Sequence, residues 1–180
     1  GIGANKTEAW KPLFLKKNNI RVAIVSYAEH EFNWISDDDW CTSMLEPGSN
    51  VLQIAELSKK VDHVVVFSHS GPENWHYPSP RQVKLFRNFI DAGASIVLNS
   101  HSHSIMGLEY YKNKPIYYGL GNFFFPKDNM LKSWYSGLFV EIEFTKDNVA
   151  FITSEDFIQF SDNKIGIAKN VNELKSSFLT

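Results

Sequence analysis

Three of the six histidines follow directly after apolar runs that have the pattern of buried strands. His69 comes directly after the run 62–68, and His101 and His103 follow the run 94–99. Because ligand groups collect at the carboxyl ends of neighbouring strands in an α/β sheet, we expect these imidazoles to lie at one edge. Imidazole is a common ligand of divalent transition metals. The spacing therefore predicts His69, His101 and His103 as metal ligands; the alternative is that each is a hydrogen-bonded loop residue.

Two glutamates follow a further predicted strand at residues 20–27. Glu29 and Glu31 flank His30 where this strand would reach the same edge of the sheet. A carboxylate beside a metal acts as a ligand, as a general base or as a group that orients the ligands. We predict Glu29 and Glu31 as catalytic residues, with a solvated polar loop as the alternative.

Three further polar residues are candidates for the same site. Asn122 follows the segment 119–121, in which two glycines flank a leucine, a spacing typical of a backbone that needs positive φ or close approach. It is predicted as a catalytic residue, with a structural turn as the alternative. His76 and Arg81 follow His69 along the chain and are predicted to contact the substrate.

Other polar residues have simpler interpretations. His63 lies inside a strand and is expected to be a hydrogen-bonded histidine. The run Asp37 to Asp39 lacks the glycine and the spacing of a calcium loop and is predicted to be a solvated acidic loop. Cys41 has no neighbouring base in the sequence and is not expected to be a nucleophile.

The elements that must position these residues alternate along the chain. Strands and helices are predicted at residues 20–27, 50–60, 62–68, 79–92 and 94–99, followed by hairpins at 108–118 and 137–153. Ser79 and Gln82 form a capping box for the second helix, and Asn50 is predicted to cap the first. The order β-α-β-α-β, followed by antiparallel strands, predicts an α/β sandwich with a mixed sheet.

Composition limits the function classes. The chain has 180 residues and a formal net charge of −2, which gives no long-range attraction for nucleic acid. Its one cysteine excludes an internal disulfide, and its apolar runs are shorter than the ~20 residues of a membrane span. We therefore expect one domain that holds its ligands through a local site. Cytoplasmic and cell-envelope locations both agree with this composition.

Several blocks in register resemble one bacterial family. They are Glu29-His30-Glu31-Phe32, His69-Ser70-Gly71, Tyr77-Pro78-Ser79-Pro80, Asp91-Ala92-Gly93-Ala94, His101-Ser102-His103 and the segment 114–123. Together they are similar to the bacterial capsule synthesis protein CapA family, associated with poly-γ-glutamate or capsular polysaccharide synthesis. The resemblance covers residues 1–126 and implies a fold like that of the calcineurin-like metallophosphatases.

The resemblance also implies roles for matching residues. In the metallophosphatase superfamily a lone histidine and a later His-x-His pair ligate a two-metal centre, which implies His69, His101 and His103 as ligands of up to two manganese, zinc or iron ions. Ser100 stands where glycine usually precedes the pair. The superfamily's earlier Asp-bearing strand and Asn-His block are not found in this sequence. We therefore expect residues 1–160 to form the C-terminal part of the domain, with 161–180 as a tail or short helix.

Three functions follow from this resemblance as alternatives. The first is metal-dependent hydrolysis in capsule, poly-γ-glutamate or exopolysaccharide synthesis, with an anionic polymer or a phosphorylated compound as substrate and Glu29 or Glu31 activating a water. The second is a non-catalytic polymer-binding or assembly component. The third is a generic metallophosphoesterase. Because the superfamily's general acid lies in the earlier motifs, the absent N-terminal part of the domain is an expected partner, and these 180 residues alone are expected to bind metal weakly and turn over poorly.

Overall fold

The computed structural model describes residues 1–32, 40–125, 130, 132–146, 150–161 and 164–167, the last two ranges through their backbone. The run Asp37 to Asp39 lies outside the described residues, as do residues 168–180. The strands and helices follow in this order: β1 Ile2–Gly3, α1 Lys6–Ala9, β2 Leu13–Lys17, β3 Ile20–Ala28, β4 Cys41–Thr42, α2 Pro47–Ser58, β5 His63–His69, α3 Pro80–Asp91, β6 Ile96–Ser100, β7 Leu108–Tyr111, β8 Lys114–Tyr117, β9 Ser136–Phe144, β10 Ala150–Ser161 and β11 Lys164–Ile167.

The central sheet has six strands in the order β2-β3-β5-β6-β8-β7. Strands β3, β5, β6 and β8 run parallel, whereas β2 and β7 pair antiparallel at the edges. The register joins Ala28 to His69 and His69 to Ser100, so the carboxyl ends of β3, β5 and β6 meet at one edge. The mixed sheet predicted from the sequence is confirmed.

Helices α2 and α3 cover one face of this sheet. Val25 and Val66 of the sheet are buried against Ile54 of α2 and Phe89 of α3. Burying an aliphatic or aromatic side chain of this size contributes about 1.5–3 kcal/mol. This core therefore fixes the strands whose ends carry the candidate residues.

A second sheet of three strands, β11-β10-β9, lies on the opposite face. Leu138, Val140 and Ile142 of β9 pack against a cluster that contains the buried Val65 and Leu98. The layers of helices, mixed sheet and second sheet form the predicted α/β sandwich. Part of this face stays open as an apolar groove of about 630 Å³ beside β2 and β3.

His63 is a buried residue of β5 on the same face. One ring nitrogen lies 3.1 Å from Oγ of Ser95, and the other lies 2.5 Å from the carbonyl oxygen of Thr145. The ring therefore joins the central sheet to the end of β9, which confirms the prediction of a hydrogen-bonded histidine.

Helix α3 begins as predicted, and helix α2 does not. Ser79 caps α3 through a capping box with Gln82. In α2 the N-cap is Glu46 and the helix starts at Pro47, because proline presets the helical φ and needs no acceptor for an N–H group. Asn50 lies inside the helix, fully buried, and its amide nitrogen donates to the carbonyl oxygen of Met44 at 3.2 Å. The predicted Asn50 cap is wrong.

Strand β11 lies within the segment 161–180, for which a tail or short helix is predicted. It pairs antiparallel with β10, from Lys164 opposite Ser161 to Ile167 opposite Ile158. The boundary at residue 160 and the form of the chain after Ile167 stay predictions. Among the described residues, no helix has the length and apolar character needed to cross a membrane.

Candidate functional site

Three imidazoles lie together at the carboxyl edge of the sheet. His69 is the last residue of β5, and His101 follows the last residue of β6. The ring centroids of His69 and His101 are 4.9 Å apart, and those of His101 and His103 are 6.0 Å apart. His101 and His103 have φ values of +88° and +53°, an uncommon backbone conformation for residues other than glycine.

His103 is held by an amide and an indole. Its Nδ1 lies 2.8 Å from Oδ1 of Asn122, and Nδ2 of Asn122 donates to the carbonyl oxygen of Trp134 at 2.8 Å. A carbonyl oxygen accepts only, so the amide orientation is fixed and Nδ1 of His103 must be the N–H donor. The indole of the buried Trp134 stacks on the ring with a centroid distance of 4.1 Å. Nε2 of neutral His103 therefore carries the lone pair.

His69 is oriented in a similar way. Its Nδ1 lies 3.2 Å from Oγ of Ser100, whose hydroxyl donates to the carbonyl oxygen of Ser68 at 3.4 Å. Burial lowers the pKa of His69 from its ordinary value, and the nearby His101 and His103 lower it further. The neutral ring is thereby favoured, and that is the form in which histidine binds a metal.

A buried polar network holds the loops that carry the imidazoles. Nδ2 of Asn99 donates to the carbonyl oxygens of Ser70 at 3.1 Å and Tyr118 at 2.7 Å, and Oδ1 of Asn99 accepts from Oγ of Ser70 at 3.1 Å. Nε2 of Gln82 also donates to the carbonyl oxygen of Ser70, at 3.2 Å. The loop after β5 is therefore tied to β6, β8 and the start of α3. Sequence reasoning missed Asn99, although a polar residue that ends an apolar run was a usable signal.

The carboxylate of Glu29 contacts the loop after β5 and the start of α3. Its Oε2 accepts from the backbone N–H of Gly71 at 2.8 Å, and its Oε1 accepts from Nη2 of Arg81 at 3.2 Å. Glu29 therefore fixes the turn after β5. Arg81 is largely exposed and directs its guanidinium to Glu29, and the other predicted substrate contact, His76, is an exposed loop residue.

Two other carboxylates approach the imidazoles. Oε1 of Glu31 lies 3.6 Å from Nε2 of His101. Oε1 of Glu73 lies 4.0 Å from Nε2 of His103, and the ligand atoms of Glu73, His101 and His103 all lie within 4.8 Å of one another. Sequence reasoning missed Glu73; its position four residues after His69, in the same loop, was the available signal. Clustered imidazole nitrogens and carboxylate oxygens are the donor set that divalent transition metals take, so these residues fit a metal.

The family of the chain follows from comparison with known proteins. The family model described as "Bacterial capsule synthesis protein PGA_cap" matches residues 1–127. The chain belongs to this family. The resemblance noted from the sequence is confirmed, and the PGA_cap match includes every imidazole and carboxylate of the cluster described above.

Curated relatives of this PGA_cap chain carry capsule names. The PGA biosynthesis protein CapA of Bacillus subtilis (strain 168) is 32% identical over 69% of this chain and 34% of that protein. The capsule biosynthesis protein CapA of Bacillus anthracis is 31% identical over 69% of this chain and 32% of that protein. The chain thus matches about a third of the length of these relatives.

A solved structure shares the fold. The crystal structure of a hypothetical protein from Thermus thermophilus superposes with a TM-score of 0.52 at 11% sequence identity, over 87% of this chain and 61% of that chain. At this identity the likeness shows the fold alone.

Proposed function

We propose that this chain forms the metal-binding, hydrolase-like part of a protein that works in the synthesis of poly-γ-glutamate or of a capsular polysaccharide. Support for the capsule context comes from PGA_cap membership and from the CapA relatives. Support for metal chemistry comes from one observation above the others. His69 and His103 both direct Nδ1 to a hydrogen-bond acceptor, so Nε2 is the nitrogen that carries the lone pair in each neutral ring.

His69, His101 and His103 would hold manganese, zinc or iron. When bound, such a metal polarises a phosphoryl or acyl oxygen and lowers the pKa of a water. Asn122 and Ser100 keep the ring protons on the Nδ1 atoms of His103 and His69 and so keep the rings oriented. The exposed carboxylate of Glu31, beside His101, is the group best placed to accept a proton from a water at this edge. Glu29 serves as a positioning residue for the turn at Gly71.

The proposed substrate is an anionic polymer or a phosphorylated intermediate. The net charge of −2 gives no long-range attraction for such a substrate, so recognition depends on groups near the cluster. A bound metal would itself supply positive charge there. Arg81 is part of the same region, since it donates to Glu29, whose other carboxylate oxygen accepts from Gly71 in the loop after β5.

A non-catalytic polymer-binding component is the second candidate. The engagement of both Glu29 oxygens favours it, because a carboxylate predicted to act on water is occupied in holding the backbone. Metal content distinguishes the two candidates.

The test begins with metal content. The chain is brought to equilibrium by dialysis against manganese or zinc salt, so that weak binding is also detected, and the metal bound above the buffer level is measured by mass spectrometry. Stoichiometric metal that His69→Ala reduces supports the proposal, whereas no retained metal supports the non-catalytic component. A panel of phosphomonoesters, phosphodiesters and γ-glutamyl polymers then separates a capsule hydrolase from a generic phosphoesterase.

A further inference from the structure

Glu73 occupies the loop between β5 and α3, on the side of the imidazoles. Its neighbours are pinned to the segment that carries the His-x-His pair. The backbone N–H of Asn74 donates to the carbonyl oxygen of Ser102 at 2.7 Å, and the hydroxyl of Ser104 donates to the carbonyl oxygen of Trp75. These hydrogen bonds join the two loops, and the Glu73 side chain lies next to His101 and His103.

The facing atoms of His103 and Glu73 are suited to bind one metal ion. In the neutral ring, Nε2 of His103 carries the lone pair, because Nδ1–H donates a hydrogen bond to Oδ1 of Asn122. Oε1 of Glu73 is 4.0 Å from this nitrogen, which is beyond hydrogen-bond range. A tetrahedral centre with bonds of about 2.0–2.2 Å spaces its ligand atoms roughly 3.4 Å apart. The ligand atoms of Glu73, His101 and His103 lie up to 4.8 Å apart. Side-chain shifts of about 1 Å would bring them to the spacing of a tetrahedral centre.

The three glutamates at this edge differ in what occupies their oxygens. Glu29 uses both oxygens on Gly71 and Arg81. Among the residues that the structure describes, Glu31 pairs with His101, whereas Glu73 groups with both members of the His-x-His pair. The side chain of Glu73 is about half exposed, so it can move without unpacking the core.

We propose that Glu73 is a metal ligand and that it completes, with His101 and His103, a site of two imidazoles and one carboxylate for a divalent transition metal. This inference rests on the proposed function, since it names a ligand of the same metal centre. A set of two histidines and one carboxylate leaves positions open for water or substrate, which a reactive centre requires.

The test compares Glu73→Gln with the matched control Glu56→Gln. Glu56 is an exposed glutamate of α2, paired with Lys59 at 2.6 Å. Zinc and manganese affinities are measured by titration calorimetry, and cobalt(II) serves as a spectroscopic probe of the ligand set. Glu73→Gln is expected to weaken metal binding at least about 10-fold and to change the visible cobalt spectrum, since even indirect partners of a metal cost 10–100-fold. Glu56→Gln is expected to match the wild type.

The outcomes separate this inference from the proposed function. Wild-type affinity and an unchanged cobalt spectrum in Glu73→Gln would overturn the Glu73 assignment and leave the imidazole centre standing. A wild-type chain that binds neither zinc, manganese nor cobalt would overturn both. Equal losses in Glu73→Gln and Glu56→Gln would show a general effect of charge and would also overturn the assignment. Circular dichroism of each variant confirms that the fold is retained.

Discussion

Asn122 binds His103 through an amide whose two ends cannot be exchanged. Oδ1 is 2.8 Å from Nδ1 of the imidazole, and Nδ2 is 2.8 Å from the carbonyl oxygen of Trp134. Rotating the amide would set its nitrogen against a ring N–H and its oxygen against a carbonyl oxygen. The amide thereby selects one tautomer of His103 before any metal arrives. These contacts support a positioning role for Asn122, and its prediction as a catalytic residue stays a prediction.

Replacing Asn122 with leucine is expected to let His103 adopt either tautomer. His103 loses the acceptor for Nδ1, and the carbonyl oxygen of Trp134 loses its donor, at a cost of about 1–3 kcal/mol for each buried group left unpaired. Metal affinity should fall by roughly 10–100-fold, as is typical when a residue that orients a ligand is removed. Nitrogen NMR of the imidazoles, recorded about two pH units above the ordinary histidine pKa of ~6.5, reports the tautomer directly.

Asn122→Asp is the informative companion. An aspartate keeps an acceptor for Nδ1 of His103 but loses the donor to Trp134. The Nδ1–H tautomer and most of the metal affinity should survive, although the free energy of unfolding falls. If leucine and aspartate shift the NMR signals of His103 equally, the orienting role is contradicted.

The positions of the imidazoles could be predicted because they depend on chain topology. Once β5 and β6 are recognised as neighbouring buried strands, His69 and His101 must lie at adjacent strand ends. The contribution of Glu73 could not be predicted in this way. Its direction depends on the hydrogen bonds of Asn74 with Ser102 and of Trp75 with Ser104, which join residues far apart in sequence.

Glu29 shows a second limit of sequence reasoning. Its position at the end of β3 was correct, but its role depends on what its oxygens meet. The N–H of Gly71 and the guanidinium of Arg81 each donate to one oxygen of the carboxylate. Neither contact can be predicted from the local residue spacing. Similarly, β2 went unrecognised, because its residues are all exposed in the structure and the sheet pairing of β3 decides the conformation.

Gly71→Ala should disturb the turn that follows His69. Gly71 has a φ of +96°, and a Cβ there would lie 2.1 Å from Nε2 of Gln82. The left-handed backbone alone costs an alanine roughly 1–2 kcal/mol, and the clash forces Gln82 away from Ser70. We expect a loss of at least about 2 kcal/mol in the free energy of unfolding from urea denaturation, together with weaker metal binding.

Gly48→Ala is the matched control for that change. Gly48 lies in the first turn of α2, and a Cβ there would meet nothing within 4 Å. Alanine is the better helix former by about 0.5–1 kcal/mol, so this variant should be slightly more stable than the wild type. A comparable loss of stability in both variants would contradict the argument from Gly71 geometry.

Asn99→Leu tests the buried network. The side chain of Asn99 is fully buried. Its removal leaves the carbonyl oxygen of Tyr118 without this donor and removes one of the hydrogen bonds to the carbonyl oxygen of Ser70. The expected loss in the free energy of unfolding is about 2–5 kcal/mol, the sum of unpaired buried groups at about 1–3 kcal/mol each. The exposed Asn88→Leu on α3 should change stability by less than about 0.5 kcal/mol, and similar losses in both variants would exclude a special role for Asn99.

The last prediction concerns pH and the ion pair between Arg87 of α3 and Glu109 of β7. A hydrogen bond from Arg87 lowers the pKa of Glu109 from its ordinary value, and the hydroxyl of Tyr118, which donates to Oε2 at 2.6 Å, lowers it further. A carboxyl whose pKa is depressed by folding stabilises the protein above its unfolded pKa of ~4.3, and this stability is lost as the pH falls through the folded value.

Melting temperatures between about pH 7 and pH 3 should therefore fall more steeply for the wild type than for Glu109→Gln. Glu56→Gln removes an exposed pair on α2 and should keep most of the wild-type slope. Parallel curves for the wild type and Glu109→Gln would show that the contact with Arg87 contributes nothing to acid sensitivity.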